Sequence, residues 1–133
     1  MMLKRLGKSI AIVLPLGVAT ALAQGAPPLV TLTPIEQGFR IISTGALGNC
    51  IACHALPGQR DVPSSFGPSF DKVGTRYDAT GLRQWITDAR QLKPDTLMPP
   101  FGTTQGTTAS VRSQAILTEE QINLVVAALQ TLR

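Results

Sequence analysis

The stretch "GNCIACHALPG", residues 48–58, contains both cysteines of the 133-residue chain and its only histidine. Cys50 and Cys53 are separated by two residues, and His54 follows directly. Two cysteines this close in sequence cannot link distant parts of the chain through a disulfide, so we expect their role to be local. The stretch therefore predicts a compact site at which two sulfur atoms and an imidazole act together.

The order Cys-x-x-Cys-His is the attachment pattern of c-type haem. Each thiol adds to one vinyl group of the porphyrin, and the adjacent imidazole is carried beneath the ring, where it can bind the iron. We therefore predict one covalently bound haem c, with Cys50 and Cys53 as cofactor-binding residues and His54 as a ligand of the metal. The sequence favours two alternatives less: a structural zinc site needs four protein ligands, and a thioredoxin-like thiol pair expects a neighbouring βαβ pattern.

Met98 is the best candidate for the second iron ligand. The two N-terminal methionines fall in a segment that we expect to be removed, and the chain has no second histidine. Two prolines follow Met98, and they restrict the backbone so that a loop residue can be held against the iron. Lys72, Lys93, a water molecule or an open position remain as alternatives. Methionine ligation raises the reduction potential and closes the last axial position, which predicts electron transfer and no catalytic residue on this chain.

The first 23 residues have the layout of a secretory signal peptide: basic residues, an apolar run and small residues at the cleavage site. The apolar run is too short and too interrupted for a membrane-spanning anchor. We expect residues 24–32 to form an extended leader and residues 33–133 to form the functional domain. Three of the twelve basic residues leave with the signal while all eight acidic residues stay, so the mature net charge is only +1. These features predict a periplasmic protein without nucleic-acid binding or stable membrane insertion.

Capping residues and apolar periodicity predict an all-α domain. A first helix is expected to begin after Thr33, which forms a capping box with Glu36, and to bury Ile35, Phe39 and Ile42. A second helix is expected from about residue 79 until Pro94 stops it.

A third helix is expected after residue 118. The positions expected to be buried on the second and third helices are Leu82, Trp85, Ile86 and Ala89, then Ile122, Val125, Val126, Leu129 and Leu132. No useful strand pattern appears. Three to four short helices joined by long loops indicate a small chain wrapped around a cofactor.

The stretch "GPSF", residues 67–70, is a candidate hydrogen-bond partner for the ring of His54. A metal-bound imidazole usually donates its other ring N–H to an acceptor. We predict that the Pro68 carbonyl accepts this hydrogen bond.

With these motifs the chain resembles class I cytochromes c, and among them the SoxX family, the monohaem subunits of the SoxAX cytochromes of bacterial sulfur oxidation. The resemblance runs from about residue 33 to residue 133. It is carried by "GNCIACH", "GPSF", "RYDATGLRQWITDARQLKPDTLMPPFG" and "LTEEQINLVVAALQTL". It implies the small class I cytochrome c fold around one haem, with Cys50 and Cys53 as thioether positions, His54 as proximal ligand and Met98 as distal ligand. Phe70 departs from the leucine often seen at that position.

The resemblance also implies partners and a reaction. It implies an electron-transfer subunit, not catalytic alone, of a complex with L-cysteine S-thiosulfotransferase activity. The implied partners are a SoxA-like cytochrome subunit in a heterodimer or heterotrimer, a SoxYZ-like carrier protein reached indirectly, and a downstream c-type cytochrome. The alternative is a free-standing class I cytochrome c that shuttles electrons in a periplasmic respiratory chain. A shuttle usually presents a marked charge field, so the nearly neutral mature chain favours the subunit.

Overall fold

The computed structural model describes residues 32–59, 66–105 and 114–133. The predicted signal peptide, residues 1–23, lies outside the described residues, as does the predicted leader up to residue 31. Within the described ranges the chain has four α-helices and no strand: α1 is Pro34–Ser43, α2 is Val73–Arg76, α3 is Ala79–Asp88 and α4 is Glu119–Gln130. Short 3₁₀ turns follow at Cys50–Ala52 and Ala89–Gln91. The predicted all-α fold class is confirmed.

Both long terminal helices begin at the predicted capping boxes. The Thr33 side chain accepts from Glu36 N–H, and the Glu36 carboxylate accepts from Thr33 N–H at 2.8 Å. Thr118 and Gln121 make the same reciprocal pair at the start of α4. Each box satisfies amide groups that would otherwise lack partners at a helix start, so the chain marks these two boundaries locally.

Helices α1 and α4 pack against each other at Gly38. A Cβ atom at this position would overlap the Leu124 carbonyl oxygen and would lie 2.7 Å from the Ala128 Cβ. The helices can therefore approach this closely only because residue 38 lacks a side chain. Ile41 and Ile42, which follow on the same face, are almost completely buried.

The predicted buried face of α1 was partly wrong. Ile42 is buried as expected, but Phe39 is half-buried and Ile35 is 43% exposed. The reason is the contact at Gly38: this residue has no apolar side chain and gives no hydrophobic signal in the sequence. The face is therefore centred on Gly38, Ile41 and Ile42.

Helix α3 ends earlier than predicted. Asp78 caps its start by accepting from Gly81 N–H at 2.7 Å, but the helix stops at Asp88, well before Pro94. Asp88 adopts an extended backbone, with φ −157 and ψ 90, and its side chain accepts from Arg90 N–H to begin the 3₁₀ turn. An aspartate that bonds to nearby backbone in this way competes with the helix.

The core lies between the helices and the loops that join them. Its buried apolar residues include Leu82, Ile86 and Ala89 from the α3 region and Ile122, Val125, Val126 and Leu129 from α4, as predicted. Trp85 and Leu132 are only partly buried. In the described part of the chain, every helix is too short or too polar to cross a bilayer.

Candidate haem site

Cys50, Cys53 and His54 lie on one tight turn a few residues after α1. The turn starts at Asn49, whose φ of 48 is in the left-handed region, and continues as a short 3₁₀ segment. The N–H groups of Cys53 and His54 both donate to the Cys50 carbonyl, at 3.1 and 2.9 Å. Cys50 is half-buried and Cys53 is exposed. The three residues predicted to act together, Cys50, Cys53 and His54, are therefore held on one hydrogen-bonded turn.

The His54 imidazole is held from two sides. Its Nδ1 lies 2.7 Å from the Pro68 carbonyl oxygen, which confirms the predicted hydrogen bond. The Phe70 ring stacks on it, with ring centroids 4.6 Å apart and planes at 12°. Since a carbonyl can only accept, Nδ1 carries the proton and Nε2 is the ring nitrogen left with a free lone pair.

Gly67 lies directly against the imidazole. A Cβ atom at residue 67 would come within 2.5 Å of His54 Cε1 and 2.9 Å of His54 Nε2. Any side chain here would displace the ring. The position of His54 therefore depends on a glycine as well as on the two contacts at residues 68 and 70.

Backbone hydrogen bonds fasten the 67–70 segment to the cysteine turn. Gly67 N–H donates to the Cys53 carbonyl at 2.7 Å, and Phe70 N–H donates to the Ala55 carbonyl at 2.9 Å. These bonds flank Pro68. They fix its carbonyl oxygen where the imidazole can reach it.

Arg76 supports the same segment, and sequence reasoning gave it no role. Its guanidinium donates to the Ser69 carbonyl at 2.7 Å and to the Asp71 carbonyl at 2.6 Å. The fixed fork of an arginine suits two neighbouring acceptors. Both acceptors are backbone atoms, so the side chains at positions 69 and 71 carry no signal that could have revealed the contact.

Met98 lies on the loop between α3 and α4. It is half-buried and packs against the apolar core, and its N–H donates to Thr96 Oγ1 at 3.2 Å. Further along, Phe101 is buried and its N–H donates to the Ile86 carbonyl at 3.2 Å. The loop therefore leaves α3 and returns to it, with Met98 between the two ends.

The returning part of this loop passes close to two helices at Gly102. Its N–H donates to the Thr87 carbonyl at 3.0 Å. A Cβ atom at residue 102 would lie 2.8 Å from Ile122 Cδ1 and 2.9 Å from Thr87 Cγ2. A glycine is needed here for the loop to reach this position.

The structure places Cys50, Cys53 and His54 together and puts Met98 on a separate loop, with no described contact between Met98 and His54. The two lysines considered as alternative donors are both exposed. Lys72 lies two residues after Phe70, whose ring stacks on His54, so it belongs to the histidine side of the site. Lys93 begins the loop that carries Met98.

Comparison with known proteins shows which family has this fold and this cysteine motif. The family model described as cytochrome c matches residues 35–133. The chain belongs to the cytochrome c family. The crystal structure of SoxXA from P. pantotrophus is similar to this cytochrome c, with 35% sequence identity, a TM-score of 0.65, and coverage of 73% of this chain and 80% of that chain. No curated relative matches the sequence. The predicted resemblance to SoxX-type cytochromes is confirmed.

As a member of this family, the cytochrome c carries covalently bound haem c and transfers electrons. The residues of the structure fit such a group. Two thiols and one imidazole lie on a single turn, and the imidazole has its Nδ1 already engaged by a carbonyl oxygen. An imidazole held in this tautomer offers Nε2 to a metal.

The Cys50 thiol does not have the character of a redox-active cysteine. Burial raises the pKa of the Cys50 thiol to about 11. A reactive thiol needs the opposite, a lowered pKa that gives a thiolate near neutral pH.

Among the residues that the structure describes, Asp88 is a strongly shifted carboxylate away from the cysteine turn. The hydrogen bond from the Arg90 side chain lowers the pKa of Asp88 from 3.8 to about 2, with help from Gln91. A carboxylate whose pKa is lower in the folded state adds stability at pH values above its unfolded pKa. That stability is lost as the pH falls through the folded pKa.

We therefore predict a specific pH dependence for Asp88→Asn. The stability difference between wild type and variant should be constant near neutral pH and should shrink as the pH falls from about 4 to about 2. Denaturant titrations at several pH values measure it, and taking the difference removes the contribution of other carboxylates such as Glu36. A difference that stays constant down to pH 2 would show that the Asp88 charge does not contribute.

Proposed function

We propose that this cytochrome c is the electron-transfer haem subunit of a periplasmic thiosulfate-oxidising complex. The observation that carries the proposal is the similarity to the SoxXA structure at 35% identity over most of both chains. The partner that this similarity supports is a SoxA-like cytochrome subunit. A SoxYZ-like carrier protein would be reached indirectly, and a downstream c-type cytochrome would receive the electrons.

The proposal assigns the haem attachment to Cys50 and Cys53 and the proximal ligand to His54. These are the only cysteines and the only histidine of the chain. The hydrogen bond from Nδ1 to the Pro68 carbonyl leaves Nε2 as the ring nitrogen that could bind the iron and would make the metal-bound imidazole a stronger ligand. The Phe70 ring and the Gly67 backbone stop the imidazole from turning away.

The proposal assigns the distal ligand to Met98. After removal of the signal peptide it is the only methionine, and its loop is fixed to α3 near both ends. When bound, the haem supplies a one-electron iron couple, and thioether ligation favours the ferrous state. His54 and Met98 would together hold the iron, and neither ligand position would then be open to a substrate.

The reaction in which this subunit would take part needs an electron acceptor. A sulfur–sulfur bond between thiosulfate and a cysteine thiolate forms with the loss of two electrons from the sulfur atoms. A one-electron carrier removes these electrons one at a time. Both cysteines of this chain are used for attachment in the proposal, so the reacting cysteine must belong to another protein.

Export to the periplasm is part of the proposal. It is supported by the three-part layout of residues 1–23.

Purification of the tagged protein from its native host tests the complex. We expect a second haem-containing polypeptide to co-purify, and we expect thiosulfate to reduce this cytochrome only when that polypeptide and a cysteine-bearing carrier protein are present. The control omits the carrier. Recovery of a lone monomer that is reduced equally well by unrelated respiratory donors would support the alternative, a free-standing electron shuttle.

A further inference from the structure

The loop that carries Met98 begins and ends beside the C-terminal end of α3. At its start, Lys93 N–H donates to the Ala89 carbonyl at 2.9 Å. At its return, Phe101 N–H donates to the Ile86 carbonyl at 3.2 Å. The position of Met98 is therefore set by how firmly both ends of the loop are held at residues 86–90.

A partly buried ion pair lies at this junction. Asp88 and Arg90 have side chains that are only 10% and 26% exposed. The Arg90 Nε donates to Asp88 Oδ1 at 2.7 Å, and its Nη2 donates to Asp88 Oδ2 at 2.9 Å. The second carboxylate oxygen also accepts from Gln91 at 3.3 Å. The ion pair is thus bidentate, and the hydrogen bond from Gln91 also holds the Asp88 carboxylate in place.

The same guanidinium reaches backbone four residues beyond the loop's return at Phe101. Arg90 Nη2 also donates to the Gln105 carbonyl oxygen at 2.5 Å. Asp88 orients the guanidinium, and the guanidinium holds the backbone at residue 105. This is a contact over fifteen residues of sequence, and it spans the whole loop on which Met98 lies.

We propose that the Asp88–Arg90 pair is a positioning device that holds the Met98 loop closed against the iron. The inference rests on the proposed role of Met98 as distal ligand. Asp88 and Arg90 do not touch the ligand themselves; they act through the backbone at residue 105. The pair sets how often the loop opens and lets another ligand reach the distal side.

The physical basis is competition between the loop and an external ligand. A methionine ligand is displaced when its loop opens locally, and the population of the open form depends on the free energy of the contacts that close the loop. A bidentate guanidinium–carboxylate pair that also bonds a backbone carbonyl contributes several charge-assisted hydrogen bonds. Substitutions that remove these hydrogen bonds raise the population of the open loop, although they change no residue that would bind the iron.

Titration of the oxidised holoprotein with imidazole tests the proposal. Imidazole replaces methionine on ferric iron, and the loss of the sulfur-to-iron charge-transfer band follows the replacement. We expect Arg90→Gln to bind imidazole more tightly by on the order of tenfold, the factor that corresponds to one lost charge-assisted hydrogen bond. We expect Asp88→Asn to shift the affinity in the same direction by less, because the amide still accepts a hydrogen bond.

Arg83→Gln is the matched control. It removes the same charge from an exposed position on the neighbouring helix α3, and imidazole affinity should stay at the wild-type value. If Arg90→Gln fails to mature, Arg90→Lys serves instead, since lysine keeps the charge and loses the planar fork. Unfolding midpoints measured on the same samples show whether the affinity changes under conditions where the protein stays folded.

The possible outcomes separate this inference from the ligand assignment. Equal imidazole affinities for wild type, Arg90→Gln and Arg83→Gln would overturn the positioning role and leave Met98 as ligand. Equal increases for Arg90→Gln and Arg83→Gln would show a general charge effect, which also overturns it. A wild-type protein without the charge-transfer band would overturn the assignment of Met98 and, with it, this inference.

Discussion

Met98→Ala is expected to remove the sulfur-to-iron charge-transfer band of the oxidised protein. It is also expected to lower the reduction potential by on the order of a hundred millivolts or more, because axial ligands set haem potentials over a wide range. The covalent attachment should be intact, since the cysteine turn lies on a different loop from Met98. Visible spectra and a redox titration of the purified holoprotein measure both effects.

Leu97→Ala is the control for this prediction. Leu97 precedes Met98 in the same loop, is 85% exposed and carries no donor atom. Its replacement should leave the band and the potential unchanged. A wild-type protein that lacks the band, with a spectrum that Met98→Ala leaves unchanged, would assign the distal position to another group. Lys93→Ala would then be the variant to examine, because Lys93 begins the same loop.

Gly38→Ala is expected to cause a large loss of stability. The added methyl group would overlap the Leu124 carbonyl oxygen and crowd Ala128, so α1 must shift away from α4. Overpacking of a tight interface usually costs about 1–3 kcal/mol, and we expect the upper end because the obstacle is backbone. The free energy of unfolding, measured by denaturant titration of the holoprotein, gives the value.

Gly45→Ala is the matched control for Gly38→Ala. A Cβ atom at residue 45 has no atom within 4 Å, and its backbone is not in the left-handed region. We expect a stability change near zero or slightly favourable, since alanine restricts the unfolded chain. Equal free energies of unfolding for the two variants would show that the contact at residue 38 does not limit the packing of α1.

Local signals in the sequence were sufficient for the starts of α1 and α4 and for the cysteine turn, whereas α2, whose start has no side-chain cap, was not predicted. The capping boxes at Thr33 and Thr118 use residues three positions apart, and the cysteine motif uses five consecutive residues. The Pro68 hydrogen bond was also predictable, because a metal-bound histidine needs an acceptor and the sequence offers a compact turn nearby.

Long-range backbone contacts were not predictable in the same way. Arg76 and Arg90 bond to carbonyl groups at residues 69, 71 and 105, and a carbonyl is the same whichever side chain it accompanies. Gly38 decides which face of α1 is buried, yet it has no apolar side chain for a periodicity argument to find. The early end of α3 depends on the Asp88 side chain accepting a hydrogen bond from Arg90 N–H. The sequence of this segment is compatible with a longer helix or with a local turn, and the folded structure shows the turn.

The most direct test of the account is the mass of the peptide that trypsin releases from residues 41–60, together with the visible spectrum of the intact protein. This peptide contains Cys50, Cys53 and His54 and no other cysteine or histidine. The account predicts that the peptide is heavier than its amino acids by one haem and that the oxidised protein shows the charge-transfer band of methionine ligation. A peptide of unmodified mass from a protein exported in a host able to mature cytochromes c would contradict it.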